Sequence, residues 1–473
     1  MVFSSPTFLF VFLPITLFVL VFLRGRLQNG FLLLASAFFY LWGGGAAILI
    51  IAGVALASYG LAWLPWGRWR ERPSRAILRL ALAGSVGLLL IPIFIAKYLP
   101  VIGAEVTGVP LAPFVLPLGI SFFTFHALSY VIDVATGSIE RERRLLDYAL
   151  YLFVFPHQIA GPIVRYSEIR AEMPGRREAP LPQLGVGFAR FSWGLAKKTL
   201  VADPCGQLAT TLFTLNAAGD QLTAADAWIG AVLYAFQIYF DFSGYSDMAI
   251  GLALVLGFHF PENFFQPYRS ISITDFWRRW HVTLSRWFRD YVYIPIGGNR
   301  RGPVVGIVAL VVTFSLTALW HGAAFTFLIW GGMHAAMLLI ERFTGLRRTE
   351  RFAVIRRMLV VVFLVISWVP FRSGSVPQLL SYWHSMFAGG RGINPAVITG
   401  VTPFLVLAVV VAVVSLFGPR RLTGFATVFG TRSPRETAGM RWWLVIPATV
   451  ILFAASVVAI LVTGFSPFLY FQF

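Results

Sequence analysis

The chain has 473 residues, of which 58% are hydrophobic and 12% are charged, whereas an ordinary soluble domain has about 45–50% apolar and 25% charged residues. This composition excludes a soluble single-core protein and favours one integral membrane unit. The net charge of +18 comes from 38 Lys and Arg against 20 Asp and Glu, and the arginines lie in short clusters between apolar runs. That arrangement predicts contact with membrane lipid rather than with nucleic acid.

The first apolar run covers residues 7–23, with no charge before it and Arg24 and Arg26 after it. A secretory leader has a positively charged start, so we expect a first membrane helix here. The positive-inside rule then places both arginines in the cytoplasm and the N-terminus outside. Residues 27–67 carry no charge and are long enough for two crossings of about 20 residues each, with a turn at 42–45.

The next crossings are predicted over residues 80–96 and 111–132, which places two arginine clusters, at 68–79 and 141–144, on the cytoplasmic side. Residues 145–162 are short and interrupted by proline, and residues 185–200 carry three positive charges. We therefore expect re-entrant and interfacial helices in both segments.

Further crossings are predicted over residues 227–260, twice within 302–340, and over 358–371, 401–418 and 442–464. The sequence thus predicts an all-α, polytopic membrane protein with about 11–13 transmembrane helices and additional partial helices. We expect a single domain over residues 1–473, with both termini outside the cytoplasm.

Residues 261–301 form an unusual segment, which contains seven arginines, three acids and many aromatic residues. In a helix from Thr274 onward, aromatic and basic residues alternate at roughly helical spacing; they are Trp277, Trp280, Trp287 and Phe288 with Arg278, Arg279, Arg286 and Arg289 between them. This pattern predicts an amphipathic interfacial helix with its aromatic side chains inward. His281 lies in this helix, and Gly297 and Gly298 follow in a turn where glycine lets the backbone approach a ligand closely.

His321 lies at the junction of two uncharged spans. An ionisable side chain in a membrane is a candidate functional residue, and imidazole transfers protons near neutral pH; the alternative is a hydrogen-bonded packing residue. His334 follows thirteen residues later, which is about 3.6 turns, so in a continuous helix the two would not share a face.

Metal binding and a hydrolase triad are both disfavoured by the spacing. The histidines His281, His321 and His334 form no HxxxH or HxH pair, and Cys205 is the single cysteine. Ser243, Ser246, Asp241 and Asp247 lie close together in the sequence, but no GxSxG motif is present. We therefore predict no metal site and no serine triad.

Four motifs occur in a fixed order: residues 154–166 (VFPHQIAGPIVRY), residues 239–251 (YFDFSGYSDMAIG), FWRRWH at 276–281 and LWHG at 319–322. Together they resemble the membrane-bound O-acyltransferase family, with a motif-bearing core at about 112–345. Within that family the chain is most similar to the branch that O-acetylates alginate in bacteria, including the aromatic C-terminus at residues 468–473.

The resemblance implies transfer of an acyl group from a thioester donor to a hydroxyl acceptor, through a tunnel across the membrane. His321 matches the catalytic histidine of the family, and His281 matches a second position that is asparagine or histidine in other branches. Arginines of the 261–301 segment are expected to hold donor phosphates at the cytoplasmic opening; the candidates are Arg278, Arg279 and Arg300, with Asn299 beside them. The expected donor is acetyl-coenzyme A or another acyl thioester, with no bound cofactor.

The same resemblance implies a bacterial inner-membrane protein that acts on an extracytoplasmic polysaccharide such as alginate. No soluble hydrolase-like domain is visible in the sequence, so a separate periplasmic SGNH-type acetyltransferase is expected as a partner. Two alternatives remain open: transfer of D-alanine to teichoic acid, and a transporter or channel without chemistry. Transporters usually contain inverted repeats and intramembrane acids, and we find no internal repeat.

Overall fold

The computed structural model of the protein describes residues 1–71, 74–102, 117–173, 181–345, 352–418, 442–464 and 467–469. These residues are mostly helical and contain no β-strand, which confirms the predicted all-α class. The first half of the chain contains α1 (Leu13–Phe22), α2 (Gly25–Gly44), α3 (Ile48–Leu61), α4 (Arg75–Ile93), α5 (Ile120–Thr136), α6 (Leu145–Phe153), α7 (Leu181–Ala196) and α8 (Asp203–Ala217).

The second half contains α9 (Ala224–Val255), α10 (Ile273–Trp277), α11 (Val282–Phe288), α12 (Pro303–His321), α13 (Phe325–Thr344), α14 (Ala353–Arg372), α15 (Val376–Ala388), α16 (Pro403–Phe417) and α17 (Trp442–Thr463). Short helices of three to six residues lie between them, at Trp66–Arg70, Phe155–Gln158, Tyr166–Ile169, Ile294–Ile296 and Pro395–Gly400. The amphipathic helix α15 was not predicted from the sequence.

Five of the described helical segments are long and apolar enough to cross a membrane: Gly25–Leu61, Arg75–Ile102, Pro303–His321, Ala353–Arg372 and Trp442–Thr463. Three shorter apolar helices accompany them, at Phe8–Phe22, Ile120–Thr136 and Pro403–Phe417. The protein is therefore polytopic, as predicted. The total of 11–13 crossings stays a prediction, and part of the predicted 111–132 crossing lies outside the described residues.

The chain divides into two compact units. The first contains Met1–Phe191 and Met248–Pro261, and the second contains Ser192–Asp247 and Glu262–Phe473. The chain passes from one unit to the other within α7 and again within α9, so each of these helices contributes residues to both units. The prediction of a single functional domain stays a prediction.

In the first unit, α2 and α3 run antiparallel, and the chain turns between them at Gly45, where φ is 53°. Near the start of α2, the Asn29 amide donates a hydrogen bond to Asp147 Oδ1 at 2.8 Å. Near the end of α3, the Ser58 and Tyr148 hydroxyl groups lie 2.6 Å apart. Because both of these ends contact the start of α6, α2 and α3 are separate helices that fold back on each other. That each of them crosses a membrane stays a prediction.

The motif at 154–166 lies in the buried core of the first unit. His157 is fully buried, its Nε2 lies 2.7 Å from the Tyr151 carbonyl oxygen, and its ring stacks on Phe260 at 5.0 Å. A carbonyl oxygen only accepts, so His157 Nε2 carries the proton. Nearby, Gly119 has a φ of 71°, and a Cβ there would collide with the Gln158 carbonyl oxygen. The buried residues of this motif therefore pack the core of the first unit.

Ion pairs hold the second unit together beside a π-helical turn, Lys197–Ala202, that joins α7 to α8. Lys198 Nζ lies 2.9 Å from Asp241 Oδ1 and 2.6 Å from Asp203 Oδ1, and Lys197 Nζ lies 2.6 Å from Asp247 Oδ2. Asp241 and Asp247 of the second motif thus pair with lysines. The helical run over 181–217 is also longer than the interfacial helix expected over 185–200.

Candidate active site

His281 lies in a sharp turn between α10 and α11, with a φ of 41°. The predicted continuous helix from Thr274 is therefore wrong. Backbone groups that would be paired within such a helix instead form hydrogen bonds with residues 263–265. The Val282 N–H donates to the Asn263 carbonyl at 3.0 Å, and the Arg279 carbonyl accepts from the Phe265 N–H at 2.9 Å. These external hydrogen bonds compensate for the interrupted helix.

The side chain of Asn263 fixes the protonation pattern of His281. His281 Nδ1 lies 3.1 Å from Asn263 Oδ1, and the same oxygen accepts a hydrogen bond from the Thr283 hydroxyl at 2.9 Å. Asn263 Nδ2 donates to the Ser246 hydroxyl at 3.1 Å, which sets the orientation of the amide. An amide oxygen only accepts, so His281 Nδ1 carries the proton, and in the neutral ring Nε2 presents a lone pair.

His281 is 1% exposed and is enclosed by aromatic rings. The Phe242 ring meets it edge-on at 4.7 Å between centroids, and the Trp320 ring lies 6.1 Å away. A polar imidazole in apolar surroundings is costly unless it is hydrogen-bonded, and Asn263 supplies that bond.

His321 is the last residue of α12 and is 4% exposed. Four aromatic rings surround it: Trp320 at 4.7 Å, Phe371 at 4.9 Å, Trp330 at 5.2 Å and Phe327 at 6.3 Å. The next residue, Gly322, is needed because a Cβ there would collide with the Phe327 ring. The LWHG motif therefore ends a helix, orients an imidazole and lets an aromatic ring pack closely behind it.

The two predicted histidines come together around one tryptophan, because the Trp320 ring contacts both His281 and His321. Forty residues separate them in the sequence, and the family resemblance matched each histidine to a position without indicating that the two lie close together. The structure places both imidazoles in the second unit, within the same aromatic cluster.

His334 does not lie on the helix that carries His321, because α12 ends at His321 and α13 begins at Phe325. The Trp277 indole N–H donates a hydrogen bond to His334 Nδ1 at 3.3 Å, and the Trp330 ring contacts both His334 and His321. His334 is fully buried. Its role is to hold α10 against α13.

Glu341 is a residue of the site that the sequence analysis missed. Its buried carboxylate accepts hydrogen bonds from the Ile273 N–H, the Thr274 N–H at 2.8 Å and the Thr274 hydroxyl at 2.7 Å. The two backbone N–H groups are donors left unpaired within the helix at the N-terminus of α10. Because Glu341 and His334 lie on α13, one helix holds the segment that leads to His281 at two points.

The predicted donor-binding residues differ in exposure. Arg278, Arg300 and Asn299 are exposed, and the Asn299 side chain accepts a hydrogen bond from the Tyr293 hydroxyl at 2.9 Å. Arg279 is half-buried and pairs with Asp275 at 2.8 Å. The structure therefore places three of the four on the surface and ties Arg279 into its own turn.

The predicted division of the 261–301 segment into an aromatic inner face and a basic outer face is confirmed. Trp280, Trp287 and Phe288 are buried, whereas Arg286 and Arg289 are exposed. Arg289 pairs with its neighbour Asp290 at 2.6 Å. Within the described ranges, no group of three His, Cys, Asp or Glu side chains is arranged to hold a metal ion.

A family model described as MBOAT, membrane-bound O-acyltransferase family, matches residues 115–374. The probable alginate O-acetylase AlgI of Pseudomonas putida is 39% identical over the full length of both chains. The peptidoglycan O-acetyltransferase of Helicobacter pylori is 32% identical over 83% of this chain and 81% of its own length. The teichoic acid D-alanyltransferase of Bacillus subtilis is 28% identical over 55% of this chain and 67% of its own length.

Proposed function

Because the chain belongs to the membrane-bound O-acyltransferase family, we propose that it transfers an acetyl group from a thioester donor to a hydroxyl acceptor, with His321 as the general base. The observation that carries this proposal is the placement of two buried histidines around the Trp320 ring. Membership of an acyltransferase family makes the chain an enzyme rather than a transporter.

In the proposed reaction, an imidazole nitrogen of His321 accepts the proton of the acceptor hydroxyl. The hydroxyl oxygen attacks the thioester carbonyl carbon, and the carbon–sulfur bond breaks as the new ester bond forms. The departing thiolate then takes the proton from the imidazolium, which restores neutral His321. A thioester requires little activation beyond positioning, so the aromatic walls that fix the imidazole contribute chiefly by orientation.

We assign His281 a positioning role toward the acceptor. Its Nδ1 proton is directed to Asn263, so neutral His281 offers only the Nε2 lone pair to a ligand. A lone pair accepts a hydrogen bond from a hydroxyl group but cannot stabilise a developing oxyanion. The orientation of Asn263 therefore favours a contact between His281 and the hydroxyl acceptor over a contact between His281 and an oxyanion.

Donor binding is assigned to exposed residues of the 278–301 segment. Arg278, Asn299 and Arg300 lie on the surface, and guanidinium groups bind phosphate through paired N–H donors. Arg279 already pairs with Asp275, so we assign it to holding the turn rather than the donor. Acetyl-coenzyme A is the proposed donor, and no resident cofactor is required.

Alginate is the proposed acceptor polysaccharide, because the relatives that match over their full length are named alginate O-acetylases. We further propose that the protein lies in the bacterial inner membrane and passes the acetyl group to a separate periplasmic SGNH-type acetyltransferase. The D-alanyltransferase similarity is lower and covers about half of this chain. D-alanyl transfer to teichoic acid is therefore the weaker alternative.

The test is acetyl transfer by purified protein, with labelled acetyl-coenzyme A and alginate oligosaccharides, in the presence and absence of the periplasmic partner. We expect His321→Ala to lower the rate by roughly 10²- to 10⁴-fold, as for other general bases. His384→Ala is the matched control, because His384 is exposed on α15. Near-normal turnover in well-folded His321→Ala protein would remove His321 from the mechanism, and turnover with a D-alanyl carrier alone would favour the alternative.

A further inference from the structure

A basic cavity of about 790 Å³ lies in the first unit, away from both predicted histidines in the sequence. It is formed where the loop after α3 meets the loop after α5 and the short helix at 170–172. Its charged lining consists of five arginines and one acid, namely Arg68, Arg70, Arg141, Arg143 and Arg170 with Glu140. The volume lies in the range of small-ligand sites, about 300–1,000 Å³.

Three of the five arginines are held in place by specific contacts. Arg70 Nη1 donates to the Val134 carbonyl at 3.4 Å, and its guanidinium passes so close to Gly137, where φ is 80°, that a Cβ would collide with it. The Arg141 guanidinium stacks over the Trp63 ring at 3.8 Å. Arg70 and Arg141 are exposed, and these contacts restrain their guanidinium groups.

Arg170 is held differently, by an ion pair with Glu140 at 3.6 Å. Glu140 neutralises one of the five positive charges in the cavity, which leaves an excess of four. Such an excess in a concave site raises the local concentration of anions. The five arginines converge on this cavity from three separate segments of the chain.

We propose that this cavity binds a phosphate-bearing ligand through the guanidinium groups of Arg70 and Arg141. Planar guanidinium forks match phosphate oxygens, which makes arginine the usual residue for phosphate recognition. Two sources share this chemistry: the nucleotide phosphates of a coenzyme A thioester and the headgroup of an anionic phospholipid. The site is additional to the donor-binding residues proposed above, which lie in the second unit, and it does not depend on the acyl-transfer reaction.

The test measures binding to the full-length protein in detergent. Coenzyme A is titrated by calorimetry, and bound phosphatidylglycerol is counted by native mass spectrometry. The variant Arg70→Gln/Arg141→Gln removes the two guanidinium groups of the proposed contact, and Arg68→Gln/Arg143→Gln removes two other arginines of the lining in case the first variant does not fold. The control is Arg79→Gln, an exposed arginine of α4 that does not line the cavity.

We expect one of the two ligands to bind wild-type and Arg79→Gln protein equally, and to bind the cavity variants about tenfold more weakly or worse, as loss of a charge-assisted contact implies. If coenzyme A shows this pattern, the source is the soluble donor; if phosphatidylglycerol shows it, the source is lipid. The proposal is overturned if neither ligand binds wild-type protein, or if all variants bind alike. Because the readout is binding, a failed acyl-transfer assay leaves this result unaffected.

Discussion

The family resemblance implies that asparagine occurs at the position of His281 in other branches. The backbone conformation at His281 gives a physical reason for this. With a φ of 41°, the residue lies in the left-handed region, where asparagine and histidine are several-fold more common than other non-glycine residues. Position 281 therefore combines two requirements: a left-handed backbone and a polar side chain that meets Asn263. Asparagine satisfies both, and alanine satisfies neither.

We accordingly expect His281→Asn to retain more acetyl transfer than His281→Ala, with both less impaired than His321→Ala. His281→Gly is the informative control, because glycine adopts a left-handed backbone without strain but has no polar side chain. Rates and melting temperatures of the three variants should be compared. If His281→Gly is stable but slow, the side chain matters; if it is as fast as wild type, the positioning role of His281 is wrong.

Arg300 is exposed in the turn at 298–301, so its proposed contact with donor phosphates should be sensitive to screening. Arg300→Gln should raise the donor concentration needed for half-maximal rate, and added salt should have the same effect on the wild-type protein, because exposed charges are screened over about 8 Å at physiological ionic strength. Arg289→Gln is the control, since Arg289 is already paired with Asp290. An unchanged half-saturation point in Arg300→Gln would contradict the donor-phosphate role.

At the scale of helices, α10 is too short to be stable alone. It has five residues, whereas isolated helices shorter than about 12–15 residues are marginal in water. The Ser272 hydroxyl accepts the Asp275 N–H at 2.9 Å, and Glu341 accepts the donors at the helix start. A hydrogen bond from Trp277 to His334 fixes the other end. The turn at His281 thus depends on α13, which carries neither predicted catalytic residue.

This dependence predicts that Glu341→Ala loosens α10 and slows acetyl transfer without touching either histidine. Leaving buried N–H donors without an acceptor costs about 1–3 kcal/mol, so the melting temperature should fall. Hydrogen exchange should rise over residues 273–281 and stay unchanged over α12. Glu341→Gln keeps one acceptor oxygen and should lie between wild type and Glu341→Ala. Unchanged exchange at 273–281 in Glu341→Ala would show that the cap is dispensable.

At the scale of the whole molecule, composition and apolar run length were sufficient to predict the helical membrane class, and the junction at His321 followed from two uncharged spans. Two features could not be predicted, because each depends on residues far apart in the sequence. The break at His281 requires Asn263 to take the Val282 N–H. The cap on α10 requires Glu341, 67 residues away from Thr274. The spacing of aromatic and basic residues gives no sign of either contact, so the sequence predicts a helix that continues through residues 278–281.

Orientation in the membrane is the remaining property of the whole chain, and the first unit supplies an internal check on it. The three arginine clusters predicted to be cytoplasmic follow α1, α3 and α5, and the structure places their flanks together: Tyr59 donates to the Arg143 carbonyl at 2.7 Å, and Asn29 donates to Asp147 at 2.8 Å. The residues predicted to lie outside also meet, since Met1 donates to the Phe39 carbonyl and Tyr40 donates to the Leu118 carbonyl. The predicted alternation is therefore self-consistent within this unit.

Five arginines lie between residues 347 and 357, so the positive-inside rule places this segment in the cytoplasm. Three crossings after it would place the C-terminus outside. Phe473 itself lies outside the described residues. We expect alkaline phosphatase fused after Phe473 to be active and a green fluorescent protein fused there to be dark, whereas fusions after Gly345 should show the opposite pattern. Fluorescence at Phe473 would mean that α14, α16 and α17 do not each cross the membrane once, and the outward placement of the C-terminus would then be wrong.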